Sequence, residues 1–228
     1  MIKIVADTTA GLPRELTTKL GIPILPQIVI FGETSYRDDT ELDTAAFLQK
    51  LRTSPQLPKT AAPPPQFYNP IFEEAAKKGE TVIVLAPTSK ASGTIRSAEV
   101  AAQDFPGLDV RVVDSLTIAG NLASLVLMAD GWAKSGLDAD TIMNRLNDWI
   151  ARGRIYFLVD TLEYLQKGGR IGGAKALLGE MLQVKPILTV RGGQVEPFEQ
   201  QRTKRRALAR LVEIVEEQCP KSEDATCA

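Results

Sequence analysis

The chain contains no histidine, and its only cysteines are Cys219 and Cys227. Without an imidazole there is no Ser-His-Asp or Cys-His nucleophile pair, no His-ligated zinc, and no side chain whose ordinary pKa lies near neutrality to act as a general base. The two cysteines stand too far apart for a Cys-x-x-Cys redox or metal pair and are too few for a disulfide framework. The composition therefore predicts no catalytic residue of these types, and no metal site.

Charge of one sign is also lacking. With 27 basic and 28 acidic side chains the net charge is −1, so no long-range field gathers a polyanion and a nucleic-acid partner is not expected. The longest apolar stretch, Leu122 to Ala129, falls far short of the roughly 20 residues that a transmembrane segment needs. The opening Met1-Ile2-Lys3-Ile4-Val5-Ala6-Asp7 has neither a basic leader nor a cleavage pattern, and a cytoplasmic location is expected. What remains is an ordinary globular composition, 228 residues of which 44% are hydrophobic, enough for one large domain or two small ones.

Ile2 to Ala6 reads as a buried strand, and Pro13 to Leu20 as a short helix opened by proline and closed by Gly21. Ile22 to Phe31 is a β-branched run that Pro26 interrupts, which suits a sheet edge or a bend, with a turn at Gly32-Glu33. Asp43 stands ready to cap a helix over Thr44 to Leu51. Thr53 to Pro65 is too rich in proline for a helix or a ladder of donors, and is expected to be an ordered loop or a linker. Helix Gln66 to Lys78, strand Thr81 to Ala86, helix Gly93 to Asp104, strand Val110 to Val113 and helices Thr117 to Lys134 and Ala139 to Ala151 follow. Continuous apolar strands alternating with helices predict a Rossmann-like parallel sheet covered on both faces.

The pattern changes at Arg152-Gly153-Arg154. A strand at Ile155 to Val159, a helical turn at Leu162 to Gln166 and a helix at Ala174 to Leu182 come next. A β-hairpin joins Lys185–Arg191 to Gln194–Glu199 across Gly192-Gly193, and an amphipathic helix spans Thr203 to Gln218. The expected architecture is α/β in two domains: a Rossmann-like domain over residues 1–152, and a smaller α/β domain with a mixed or antiparallel sheet over residues 153–228.

Four groups of residues are candidates for chemistry. Pro87-Thr88-Ser89-Lys90-Ala91-Ser92-Gly93-Thr94 joins a strand to a helix, where unpaired N–H groups, the helix dipole and the hydroxyls of Ser92 and Thr94 suit a small anion. Serine there is equally the ordinary cap of its own helix. Lys167-Gly168-Gly169-Arg170-Ile171-Gly172-Gly173 sets one guanidinium among four glycines, which suits a carboxylate or phosphate, or simply a tight connection. Pro58-Lys59-Thr60 offers a hydroxyl in a stiff proline frame, although any one such threonine is equally incidental. Arg202-Thr203-Lys204-Arg205-Arg206, with Arg210, opens the last helix with cations that its dipole disfavours, as a partner surface or as a solvated face. Asp7 and Asp114 each follow a strand, where open α/β sheets place ligands, although aspartate is also a common cap there. Neither a Gly-x-x-x-x-Gly-Lys-Ser/Thr nor a Gly-x-Gly-x-x-Gly loop is present, so these nucleotide motifs are excluded.

Taken in order, Val5-Ala6-Asp7-Thr8-Thr9, Tyr36-Arg37-Asp38, Pro58-Lys59-Thr60, Thr88-Ser89-Lys90-Ala91-Ser92-Gly93-Thr94, Val113-Asp114-Ser115, Gly168-Gly169-Arg170-Ile171 and Arg202-Thr203-Lys204 resemble the DegV family, bacterial fatty-acid-binding proteins of the FakB type. The resemblance implies a noncovalent carrier that is not itself an enzyme. It would bury a long-chain fatty acid between two domains and present the carboxyl group to the catalytic subunit of a fatty acid kinase. It implies no cofactor beyond the bound acid. Thr60 and Ser92, with Gly93 and Thr94, would hold the carboxylate; Arg170 would lie in the head-group neighbourhood; and Arg202, Lys204 and Arg205 would meet the kinase. It further implies a bulkier tunnel wall at Gly120-Asn121-Leu122-Ala123, where the family has Gly-x-Gly, and a His-Thr-Gly-Pro-Gly segment that would follow Ala228.

Neutral hydroxyl and N–H donors suit a carboxylate that must stay reactive. Affinity would come from the tail: a dozen buried methylenes at ~0.8 kcal/mol each amount to about 10 kcal/mol before ordering costs. Fold does not dictate function, so the alternative is a phosphotransferase acting on a small polyol or sugar, and a third reading is a scaffold with an empty cleft.

Overall fold

The computed structural model describes residues 1–179 and 184–219. The chain divides into two compact units, Met1–Ala151 and Arg152–Ala228.

The first unit is built on a four-stranded parallel sheet. Its strands are β1 (Ile2–Asp7), β2 (Ile24–Leu25), β6 (Thr81–Ala86) and β7 (Val110–Asp114), in the order β2-β1-β6-β7. Ile4 lies beside Ile83, Val5 beside Val84 and Leu85 beside Val113. Alternation along the strands sends Ile4, Ala6, Ile83, Leu85 and Val113 to one face, under Leu122, Leu125 and Val126 of α5 (Ala119–Lys134) and Ile142 and Leu146 of α6 (Ala139–Arg152). Val5, Val82 and Val84 point the other way, under Phe72 and Ala75 of α3 (Asn69–Lys78), Ala98 and Ala101 of α4 (Thr94–Gln103), and Tyr68. Burial of both faces is why these strands read as largely apolar runs, interrupted by Lys3 in β1 and Arg111 in β7. Ile83 and Leu85 are fully buried, each worth roughly 1.5–3 kcal/mol relative to exposure.

The unit also carries a small antiparallel sheet, β4-β3-β5, of β3 (Ile28–Phe31), β4 (Thr34–Arg37) and β5 (Lys59–Ala61). Gly32, at φ +60°, makes the β3–β4 turn. The loop expected from Thr53 to Pro65 is thus corrected in part. Lys59, Thr60 and Ala61 lie between Pro58 and Pro63 and retain their N–H groups, so they pair along the edge of β3, Thr60 opposite Val29. The remaining helices are α1 (Arg14–Leu20), closed by Gly21, and α2 (Thr44–Thr53), whose first turn is capped by Asp43 accepting from the Ala46 N–H at 2.7 Å. The helix expected from Gln66 begins only at Asn69, after a 3-10 turn at Pro65–Phe67.

The second unit contains β8 (Tyr156–Leu158), α7 (Glu163–Lys167), β9 (Lys185–Arg191), β10 (Gln194–Gln201) and α8 (Lys204–Gln218), its sheet being antiparallel in the order β10-β9-β8. Ile187 packs with Ala207 and Ile214 of α8 on one face, while Leu188 packs with Leu162, Ala174 and Leu177 on the other. In place of the helix expected over Ala174 to Leu182, a 3-10 helix spans Gly172–Leu177; residues 180–182 lie outside the described residues. Gly172, at φ +51°, comes so close to the Val195 backbone that a Cβ would stand 3.0 Å from its nitrogen, which fixes glycine there. Thr203 caps α8, accepting from the Arg206 N–H at 3.2 Å.

Candidate functional site

The strands of the parallel sheet all end at one edge, and the chain reverses its winding between β1 and β6, since β2 adds outside β1 while β7 adds outside β6. Such a switch point opens a crevice beyond the strand ends, where side chains from two loops converge. Asp7 closes β1 there, and the Pro87–Gly93 loop leads from β6 into α4.

Asp7 is 1% exposed and accepts four hydrogen bonds. One oxygen takes the Thr9 N–H at 2.9 Å and the Thr9 hydroxyl. The other takes the Gln27 side-chain amide at 2.7 Å and the Thr94 hydroxyl at 2.7 Å. Burial pushes the Asp7 carboxyl above its ordinary range, against the pull of these donors. Asp38 sits alongside: the Thr8 hydroxyl donates to it at 2.7 Å, and its own N–H donates to the Gln27 carbonyl at 3.1 Å. It too is pushed up, first by burial and further by the charges of Asp39 and Asp7.

From this floor the network rises to the mouth of α4. The Thr94 hydroxyl, buried on Asp7, also receives the Gln27 amide at 3.2 Å and lies 3.0 Å from the Ser92 hydroxyl. The Thr94 N–H donates to the Ser92 oxygen at 3.3 Å, while the helix cap position itself is Gly93, which supplies no side chain. Ser92 is therefore not the ordinary cap of its helix: it stands one residue before the cap, and its hydroxyl reaches Thr94.

The segment after β5 comes against the same corner. A Cβ on Gly93 would meet the Ala62 Cβ at 3.7 Å, and the Ser97 hydroxyl of α4 donates to the Pro63 carbonyl. Thr60, two residues before Ala62, is exposed on β5. On the far side, the Thr88 N–H donates to the Thr117 carbonyl at 2.9 Å, tying the loop after β6 to the loop after β7. Leu116 in that second loop and Ala119 at the first position of α5 lie in the left-handed region at φ 51°, each at a cost of about 1–2 kcal/mol, so backbone strain gathers at this sheet edge.

Thr60, Ser92, Gly93 and Thr94 thus all belong to the first unit, the last three contiguous and the segment after Thr60 packed on Gly93. Arg170, Arg202, Lys204 and Arg205 belong to the second unit, and all four are exposed. Arg170 follows α7, its N–H donating to the Leu165 carbonyl at 2.8 Å and its guanidinium to the Gly168 carbonyl. Lys204 is ion-paired with Asp160 at 2.8 Å. Among the described residues no three His, Cys, Asp or Glu side chains gather as a metal site, and no helix is long and apolar enough to cross a membrane. Cys227 lies outside the described residues.

The model of a family described as "Uncharacterised protein, DegV family" matches residues 1–228. A DegV domain-containing protein of Clostridium perfringens is 35% identical over 221 residues, 95% of this chain and 77% of that protein. The chain belongs to the DegV family. Among solved DegV structures, a fatty-acid-binding protein from Thermus thermophilus superposes with a TM-score of 0.88 at 34% identity, covering 95% of this chain and 77% of that one. A stearic-acid-binding protein from Eubacterium ventriosum gives 0.86 at 29% identity, covering 96% and 76%.

Asp7 and Asp38 stand in the DegV-like segments of the sequence, whereas nothing in the sequence points to Gln27. Gln27 follows Pro26 in a segment with no motif, and its role appears only when Asp7 at the end of β1 and Thr94 at the start of α4 converge on its amide. The available signal was the position of Asp7 at the end of a strand that is apolar apart from Lys3, where a buried carboxylate must find several donors.

Proposed function

We propose that this DegV family member is a noncovalent fatty-acid carrier and not an enzyme, burying one long acyl chain between its domains and presenting the carboxyl group to the catalytic subunit of a fatty acid kinase. In this reading Ser92 and Thr60 hold the carboxylate, with Gly93 leaving room for it and Thr94 orienting Ser92 from below. Arg170 completes the head-group neighbourhood, and Arg202, Lys204 and Arg205 form the kinase-facing surface. The cytoplasm is the location that matches this reading.

One observation carries the reading: a stack of neutral hydroxyls, Thr94 beneath Ser92, rising from a buried acid at the switch point of a sheet whose solved relatives are described as fatty-acid-binding. Uncharged donors hold a carboxylate without the tight ion pair that would quench it as a nucleophile toward phosphorus. The energy of binding then resides in the apolar tail.

Native mass spectrometry of the protein purified under mild conditions tests the reading, with one long-chain acid per chain expected. Ser92→Ala should weaken binding by about tenfold, the worth of one hydrogen bond, and lower acyl phosphate production in a reconstituted kinase assay while the far-UV circular dichroism stays unchanged. An empty protein that takes up no added fatty acid, or one that turns over ATP alone, would contradict it; the latter would favour a phosphotransferase.

A further inference from the structure

The hydrogen-bond chain from Asp7 to Ser92 has a fixed supply of protons. Without ligand, two contacts need one hydrogen each: Thr94 hydroxyl to Asp7 at 2.7 Å, and Ser92 hydroxyl to Thr94 hydroxyl at 3.0 Å. Two hydroxyl hydrogens fill them when Thr94 donates to an ionised Asp7 and Ser92 donates to Thr94. The Ser92 oxygen, already accepting the Thr94 N–H at 3.3 Å, then offers only a lone pair to whatever lies above it. A carboxylate there would set lone pair against lone pair.

From this count we propose that the site binds a fatty acid together with one proton, which Asp7 and the ligand carboxyl group share through the Thr94 and Ser92 hydroxyls. A ligand oxygen on Ser92 makes a third contact in a row of four oxygens, and a third hydrogen, taken from solvent, completes it. If the proton sits on the ligand, the acid donates to Ser92 and the row runs toward Asp7. If it sits on Asp7, every hydroxyl turns over: Asp7 donates to Thr94, Thr94 to Ser92, and Ser92 to the carboxylate. Asp7 is thus a positioning residue that sets whether Ser92 faces the ligand as donor or acceptor. This rests on the fatty-acid reading above.

The surroundings favour a shared proton. Asp7 is buried, and its charge is felt by Asp38 and by Tyr68, neither of them a cation. The buried Tyr68 hydroxyl has no hydrogen-bond partner, so it does not supply the hydrogen. Other charges on the packed elements are engaged or turned outward. Arg37 pairs with Asp39, Asp114 accepts from the Ser89 and Leu116 N–H groups, and Lys134 pairs with Asp130. Lys90, Arg96 and Glu99 are exposed.

The test is the affinity for dodecanoate, kept below its micelle concentration, from pH 7 to 9.5 in the full chain and in Asp7→Asn, with dodecan-1-ol as a neutral probe. Free dodecanoate is ionised throughout this range. Where empty-site Asp7 is ionised as well, wild-type affinity should fall tenfold for each pH unit. With its oxygen kept on the Thr9 N–H and the Gln27 amide turned over so that its oxygen faces the new NH2 group, asparagine donates permanently to Thr94, so the variant should show a flat profile and bind more tightly than wild type at pH 9.5, a gain that a damaged fold does not produce. Dodecan-1-ol brings its own hydroxyl hydrogen and should show no pH dependence. Should Asp7→Asn not fold, calorimetry of the wild type at pH 9.5 in buffers of different ionisation heat decides alone, with uptake of one proton per ligand expected. Dodecanoate binding that is flat to pH 9.5 with no proton uptake overturns the shared proton and leaves the carrier reading intact. Absence of dodecanoate binding at every pH overturns both.

Discussion

The two units handle polar groups in opposite ways. In the first, polar side chains are taken inside: Asp7, Thr88, Thr94, Ser97, Ser115 and Thr117 are all buried, most of them just beyond the ends of β1, β6 and β7. In the second, Thr189 is the one buried polar side chain among the described residues, bonded to the Ile155 carbonyl at 2.8 Å, and charge stays outside in ion pairs. Arg210 there engages Glu199, Glu213 and Glu217. Buried polar groups cost free energy unless fully partnered, and a fully partnered cluster of them at a sheet switch point is what the head-group site proposed for the first unit requires. Surface ion pairs carry little stability and are easily exchanged, which suits a face that meets another macromolecule.

This contrast can be broken at several points. The largest effect is expected from Gly172→Ala in the second unit. A methyl there meets the Val195 backbone and must accept φ +51°, so stability should fall by about 3 kcal/mol, read as a lower denaturant midpoint at unchanged m. Both tryptophans, Trp132 and Trp149, lie in the first unit, so their emission in the native state should be unaltered. Next comes Asp7→Ala, which leaves the Thr94 hydroxyl, the Thr9 N–H and the Gln27 amide without their acceptor; a loss of about 2–3 kcal/mol in urea unfolding is expected.

A smaller effect follows from pH. Asp7 and Asp38 have carboxyls raised above their ordinary 3.8 by burial, so the folded state holds these protons more tightly than the unfolded chain. Their contribution is fully present below pH 3.8 and is lost as pH climbs through the folded values. Asp7→Asn should remove its part of that decline, and its stability relative to wild type, followed by urea titration, should improve as pH rises above 3.8 and through the raised value of the folded state. The smallest effect is expected from Arg210→Ala: the unfolding midpoint should barely move, and what shift there is should vanish in high salt.

Much of the fold was legible because local chemistry and tertiary structure agree. Thr81–Ala86 is a strand over the limits its apolar run suggests, Asp43 caps α2, and Gly192-Gly193 turns the hairpin of β9 and β10. Where they disagree, the sequence was silent. β5 has three residues between prolines, too few for any period, and exists because β3 offers it an edge. The Ser-Gly-Thr corner was visible as a helix opening, whereas its support was not: Thr94 and Asp7 are 87 residues apart, and Gln27 joins them from a third segment. Hydrogen bonds across such separations leave no spacing in the chain.

The most direct test of the account is the carbon-13 resonance of dodecanoate labelled at its carboxyl carbon, bound in turn to the wild type, Ser92→Ala and Thr60→Ala. A head group seated on these hydroxyls should give one sharp bound signal in the wild type that moves in each variant. An identical bound signal in all three proteins would place the carboxyl group elsewhere and contradict the assignment.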